Sequence, residues 1–361
     1  MNEAMENGPS KPRTSGQILA GLRRSGRMLA LCLGVTAALL TFPSAIPWMI
    51  AFWLSWHSVA ALRGRRGWLP LALGAAIVLL KGVPPAPGLV ALAVVAAAVA
   101  LANSLAGRTG DAQWRKRLTR AGIPVLWLAW TAMAVDWHTG ARCNHRVGRH
   151  LTRPVVCLGN SLTSMGRPQG GYPEHLAAML SVPVVNLGES GINTTHALAL
   201  LPRLVKANPQ VVVIELGEHD FLQEEARLGA EGFLGKLVAY LRGSARRSTQ
   251  ENLQKLIDAC RGIGAEVILV EMPRGYMFDL YFGLERQLAR ENDLELVPDT
   301  MIRRLLLSSP TLPPGKWLGG PFLTEPDGVH PSRLGNDLMA RYVAGALERL
   351  YGPKILREEG S

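Results

Sequence analysis

Four short loops of this 361-residue chain hold the side chains that could do chemistry. "GNSLTSM" carries Ser161, directly behind the apolar run "RPVVCL". "EPDGVHPS" carries Asp327 and His330, three positions apart. Between them lie "GESGINTT", with Gly191, and "GEHDFL", with His219. A hydroxyl, an imidazole and a carboxylate can serve as a nucleophile, its base and the group that orients the base. Backbone N–H groups can face the oxyanion that develops when a carbonyl is attacked. These are the parts of covalent acyl transfer through serine. Each part alone has a plainer reading. Gly159, Asn160 and Ser161 are all turn formers, and a lone serine there would read as a helix cap. What decides between the readings is whether the fold gathers the four loops.

The elements that must position them follow from position 154 onward. The runs "PVVCLG", "VPVVNL", "QVVVIEL", "AEVILVEMP" and "LELVP" predict five strands. Helical stretches are predicted near 173–180, 194–206, 231–243, 248–262 and 277–291, with a closing helix over "SRLGNDLMARYVAGALERLY". Runs of Val, Ile and Leu without strict alternation suit a parallel sheet buried on both faces. The alternation of strand and helix predicts an α/β domain of three layers. Ligands of such sheets bind beyond the carboxyl ends of the strands. Three of the four loops leave those ends, and the fourth precedes the closing helix.

These four blocks, in this order, resemble the SGNH hydrolases, the GDSL-like esterases and lipases. The family's first block, usually Gly-Asp-Ser, stands here as Gly159-Asn160-Ser161. Its second-block glycine matches Gly191 in "VVNLGESGINT". Its third block, Gly-x-Asn-Asp, stands as Gly217-Glu218-His219-Asp220, and its last, Asp-x-x-His, as Asp327-Gly328-Val329-His330. The resemblance covers about residues 154–350 and implies an SGNH-hydrolase-like three-layer fold. It implies Ser161 as nucleophile, His330 as base and Asp327 as the residue that orients His330. It implies an oxyanion hole built from the N–H groups of Ser161 and Gly191. Two positions depart from the family pattern. Asn160 replaces the usual Asp. His219 replaces the Asn whose amide is the third oxyanion donor; an imidazole N–H can also donate in the right tautomer, and a structural role for His219 is the other reading. Asp220 reads as a residue that hydrogen-bonds loop amides. Glu218 carries no assignment.

The amino-terminal part has a different character. No Asp, Glu, Lys or Arg occurs in 28–62, 67–80, 82–107 or 121–135. A membrane span needs about 20 apolar residues. Pro43, Pro47 and the "KGVPPAPG" stretch interrupt the longer runs, giving five short helices near 28–42, 46–62, 67–81, 88–106 and 121–137. Residues 1–137 carry a net charge of +10 and the remainder only +1. With the amino terminus inside, the arginine clusters at 23–27, 63–66 and 108–120 all fall on the inner side, as the positive-inside rule asks. Four spans would reverse the side on which the rest of the chain lies. The expected organisation is a disordered basic tail over 1–27, an all-α transmembrane region over 28–137 and a juxtamembrane linker over 138–153. An SGNH-like domain over 154–352 and a tail over 353–361 complete it. Five spans place the domain outside the cytoplasm, on a bacterial-type inner membrane. The excess positive charge lies around the apolar segments, which argues against nucleic acid as a partner.

Other residues have structural readings. His175 and His196 lie on expected helices. His138, Cys143, His145 and His150 cluster in sequence without the spacing of a metal site, and no metal or cofactor is called for. Cys157 reads as a buried thiol. Residues 306–325, rich in Pro and Gly, are expected to form a wall of the substrate site. The function expected is a membrane-anchored serine esterase acting on an acyl ester of a lipid or of an O-acetylated carbohydrate. The alternatives are an O-acyltransferase acting on an extracytoplasmic polysaccharide and a catalytically weak binding module.

Overall fold

The computed structural model describes residues 142–357 except 149, 165–169, 230–245, 273–280, 282, 300, 303–304, 306–307 and 312–321, together with Pro124 and Leu128. Apart from Pro124 and Leu128, the tail over 1–27, the spans expected within 28–137 and the helix expected at 231–243 lie outside the described residues. Among the described residues no helix is long and apolar enough to cross a membrane.

Five strands form one parallel sheet: β1 (Val155–Gly159), β2 (Val184–Asn186), β3 (Val211–Glu215), β4 (Glu266–Val270) and β5 (Glu295–Val297). Their order across the sheet is β2-β1-β3-β4-β5. The two central strands are buried at every position, which is why their sequences run apolar without alternation. Successive side chains point to opposite faces, and two cores result. Val156, Leu158, Val212 and Ile214 pack on one face, and Val155, Cys157, Val211 and Val213 on the other.

Helices cover both faces. The described helices are α1 (Ser161–Ser164), α2 (Tyr172–Met179), α3 (Thr194–Leu198), α4 (Leu201–Ala207), α5 (Glu218–Gly229), α6 (Arg247–Gly262), α7 (Leu284–Glu291) and α8 (Arg333–Tyr351). Tyr172 and Leu176 of α2 share a core with Met339, Val343 and Leu347 of α8. Leu253, Leu256 and Ile257 of α6 pack on the opposite face with Leu204 of α4 and Leu288 of α7. The result is the three-layer α/β domain.

Three elements differ from the sequence expectation. The helix expected over 194–206 is two helices, because Pro202 in the first turn of α4 cannot donate into a continuous ladder. "GEHDFL" is the start of α5 and not a loop. Gly217 turns the chain there at φ +109°, and Phe221 anchors the first turns edge-to-face on Tyr281, centroids 5.7 Å apart. Within the stretch expected as helix 277–291, the described helix begins at Leu284, after Gly283 in a left-handed conformation.

The carboxyl edge of the sheet is braced from below the loops. Glu271, just past β4, accepts from Arg286 Nε at 3.2 Å and Nη2 at 2.7 Å and from the Asp299 N–H at 2.9 Å. The amino edge receives residues 143–153. Asn144 and His145 reach Asp293, His145 also reaches Glu266, and the Cys143 N–H donates to Glu295. Thr152 and Arg153 donate their N–H groups to Gln210, just before β3. At the other terminus the Arg357 N–H donates to the Met179 carbonyl.

The His145–Asp293 contact at 2.9 Å has a pH window. Hydrogen bonding to Asp293 holds the His145 imidazole above its usual 6.5. The Asn144 N–H, then His145, hold Asp293 below its usual 3.8. The imidazolium contribution is full below 6.5 and is lost as pH rises through the raised value. The carboxylate contribution is present above 3.8 and is lost as pH falls through the lowered value. His145→Ala is therefore expected to lower the thermal midpoint most between pH 3.8 and 6.5 and least in alkali, as scanning calorimetry across pH would read.

Candidate active site

β1 stops at Gly159 because the chain has to turn there. The Asn160 carbonyl accepts the N–H groups of Thr163 and Ser164, closing the single turn of α1. The Asn160 side chain accepts the Leu162 N–H at 2.9 Å. Ser161 thus begins α1 and is half-buried.

Asp327 and His330 come from a hairpin-like loop ahead of α8. The Glu325 N–H donates to the His330 carbonyl, and the Ser332 N–H to the Leu323 carbonyl. Ser332 then caps α8 by accepting the Gly335 N–H. Gly328 sits at φ +74° against Ser309 and Thr311, where a Cβ would collide with Ser309 Oγ at 2.8 Å. Asp327 Oδ1 accepts the N–H groups of Val329 at 2.9 Å and His330 at 3.0 Å. Its Oδ2 faces His330 Nδ1 at 2.6 Å. His330 Nε2 lies 3.1 Å from Ser161 Oγ. An Nδ1–H directed at the carboxylate leaves Nε2 as the acceptor for the serine proton. Partial burial raises the Asp327 carboxyl, but the His330 bond and the two backbone N–H groups outweigh it and hold the group below the usual carboxylate range. Asp327 stays ionised where the imidazole needs it.

The second loop is stapled to the first. The Glu189 N–H donates to the Gly159 carbonyl at 3.0 Å, and Asn186 Nδ2 to the Thr163 carbonyl at 3.0 Å. The hydroxyls of Ser164 and Ser190 meet at 3.0 Å. Gly191 follows at φ +78°, and a Cβ there would meet nothing within 4 Å. Its glycine identity therefore answers to backbone conformation and open space, not to packing. Among the described residues the N–H groups of Ser161 and Gly191 donate to no protein acceptor. Gly188 carries the packing constraint: a Cβ there would lie 2.5 Å from the Ser164 nitrogen and 2.8 Å from the Thr163 carbonyl carbon.

His219 is the second residue of α5, half-buried. Its imidazole makes no hydrogen bond to another described residue, Ser161, Asp327 and His330 included. The structure thus brings the serine, histidine and aspartate together and sets His219 beside that cluster through its neighbours. Glu218 accepts from Asn160 Nδ2 at 3.2 Å. Asp220 accepts the Thr194 N–H at 2.9 Å and its hydroxyl at 2.6 Å, fixing the second loop to α5 as a loop-bonding residue does. Sequence reasoning missed Asn186, Gly188 and Glu215. The Asn and Gly lie in the "VVNLGESG" run and were legible as turn residues, but Glu215 looked like an ordinary strand end. Among the described residues no group of His, Cys, Asp or Glu is arranged to hold a metal ion.

Residues 157–338 match the profile of the GDSL-like Lipase/Acylhydrolase family. A bovine (Bos taurus) protein named isoamyl acetate-hydrolyzing esterase 1 homolog is 36% identical over 107 residues, 27% of this chain and 43% of that protein. The chain thus matches less than half the length of that relative. Among solved structures, TesA is 24% identical, with 55% of this chain and 99% of that chain covered and a TM-score of 0.40. The psychrotrophic esterase EstA from Pseudoalteromonas sp. is 21% identical, with 55% and 98% covered and a TM-score of 0.40.

The stapling of the two loops is open to test. Gly188→Ala has to push the second loop away from α1, moving Gly191 relative to Ser161. Misplacement of about 1 Å can cost about 100-fold in rate. The expected outcome is a fall in kcat of that order on a p-nitrophenyl ester, with KM little changed.

Proposed function

The chain belongs to the GDSL-like lipase/acylhydrolase family, an esterase-type hydrolase family, and we propose that it hydrolyses an acyl ester through an acyl-enzyme on Ser161. The observation that carries this reading is the continuous relay from Asp327 Oδ2 to His330 Nδ1 at 2.6 Å and from His330 Nε2 to Ser161 Oγ at 3.1 Å.

The steps follow from that geometry. Ser161 Oγ attacks the ester carbonyl as His330 Nε2 takes its proton. The imidazolium is stabilised by Asp327, which its two backbone donors keep ionised. The N–H groups of Ser161 and Gly191 receive the oxyanion, each such donor being worth about 100- to 1000-fold in rate. His330 returns the proton to the leaving alkoxide, and the acyl group stays on Ser161. Water, deprotonated by His330, then releases the acid. An alcohol in place of that water would give O-acyl transfer. His219 would be the third oxyanion donor, supported by its third-block position beside the nucleophile loop. An acetyl ester, presented on a lipid or on a sugar, is the first substrate to try, since the bovine relative is named for isoamyl acetate hydrolysis.

The location belongs to the same proposal. The charge-free stretches within residues 28–135 and the arginine clusters between them support an enzyme anchored in a bacterial-type inner membrane with its catalytic domain outside the cytoplasm.

Two measurements test the chemistry. A fluorophosphonate probe is expected to label the wild type and not Ser161→Ala; equal labelling of both would remove Ser161 as nucleophile. His219→Ala is expected to lower kcat by about 100-fold or more, and His219→Asn to retain more activity than the alanine variant, since an amide can donate where a methyl cannot. Both variants at wild-type activity would take His219 out of the oxyanion hole.

A further inference from the structure

Glu215 closes β3 in full burial, 0% exposed. Parallel pairing sets it opposite Gly159, the last residue of β1. The missing side chain at Gly159 is what makes room: a Cβ there would lie 2.7 Å from Glu215 Oε2. That oxygen accepts the Asn160 N–H at 3.2 Å and the Thr163 hydroxyl at 3.0 Å. Glu215 Oε1 is buried and has no hydrogen-bond partner. Among the described residues no cation pairs with this carboxyl.

Asn160 is held from its other side as well. It is 0% exposed, and its Nδ2 donates to Glu218 Oε2 at 3.2 Å. One glutamate fixes its main chain and the other its side chain. The next residue is Ser161, and Thr163, also tied to Glu215, ends the turn that presents the serine. A carboxylate at position 160 would face the carboxylate of Glu218 with no proton between them.

We propose that Glu215 and Glu218 are positioning residues for the nucleophile: by clamping Asn160 from both sides they set where Ser161 offers its hydroxyl to His330 and its N–H to the oxyanion. This rests on Ser161 being the nucleophile. The neutral carboxyl is the form that this burial favours, because an ionised carboxylate there would lack a counter-charge. Burial, then the Glu218 carboxylate, push the Glu215 carboxyl well above its usual 4.5. The other titratable groups facing it are Glu285 of α7 and Tyr172 of α2, neither of them a cation at any pH. By linkage its contribution is full below 4.5 and is lost as pH rises through the raised value.

The test is steady-state hydrolysis of p-nitrophenyl acetate by the full chain across pH, with fluorophosphonate labelling of Ser161 alongside. Glu215→Gln, which keeps the accepting oxygen and cannot ionise, is expected to keep kcat close to wild type and to flatten any alkaline decline. Glu215→Ala is expected to lose about 10- to 100-fold in kcat with KM little changed. Asn160→Asp is expected to lose activity, and Asn160→Asp with Glu218→Gln to regain most of it, since the amide then donates to the carboxylate. Should Glu215→Ala not fold, the alkaline limb of Glu215→Gln and the Asn160–Glu218 pair decide. Wild-type kcat in Glu215→Ala, an alkaline limb unchanged in Glu215→Gln, or a double variant no better than Asn160→Asp would each overturn the clamp. Full activity in Ser161→Ala would instead overturn the nucleophile on which it rests.

Discussion

Parallel pairing of β1 with β3 is the constraint on which the site depends. It brings Gly159 and Glu215 to the same level at the centre of the sheet, so that two connections separated by more than fifty residues leave the same edge side by side. β2 on the outer side of β1 adds the loop that ends in Gly191. Ser161, the second loop and the head of α5 then meet without any one of them having to be long. Asp327 and His330 arrive from the far end of the chain, held by a short hairpin against α8, whose packing on α2 fixes its distance from Ser161.

The site divides its polar groups by burial. Asp327 is open enough to water, and has enough N–H donors, to stay charged. Glu215 has two donors on one oxygen, none on the other and no counter-charge, and burial pushes its carboxyl well above the usual 4.5. Two carboxyls at one edge of a sheet therefore differ: one faces an imidazole at 2.6 Å, and the other presents acceptors to the turn after β1. Desolvation separates them.

Much of this was legible in the sequence. The strands were, because burial on both faces leaves uninterrupted apolar runs such as "VVVIE", and chain order then implied which loops share an edge. Ser161, Asp327 and His330 were legible as a set because the blocks that carry them stand in the order of the family they resemble. Helix α5 was not, since its first turn is Glu218, His219, Asp220, a polar stretch that reads as loop until Phe221 is seen to be buried. Pro202 could have warned that helix 194–206 is two pieces. Glu215 was hidden for a different reason. Its role comes from register across to Gly159, and register is a relation between strands that neither strand states alone. Gly188 is of the same kind: its closeness to Ser164 exists only once β2 lies beside β1.

The contacts of Cys143 to Arg153 fall at the amino ends of β3, β4 and β5, while the loops that carry Ser161 and Gly191 leave the carboxyl ends. A central strand of five residues at about 3.3 Å each makes the sheet about 17 Å deep. These residues therefore grip the domain at the end of the sheet opposite Ser161. Any load carried by the preceding polypeptide reaches Glu266, Asp293, Glu295 and Gln210 first, and is spread across three strands before it reaches Ser161.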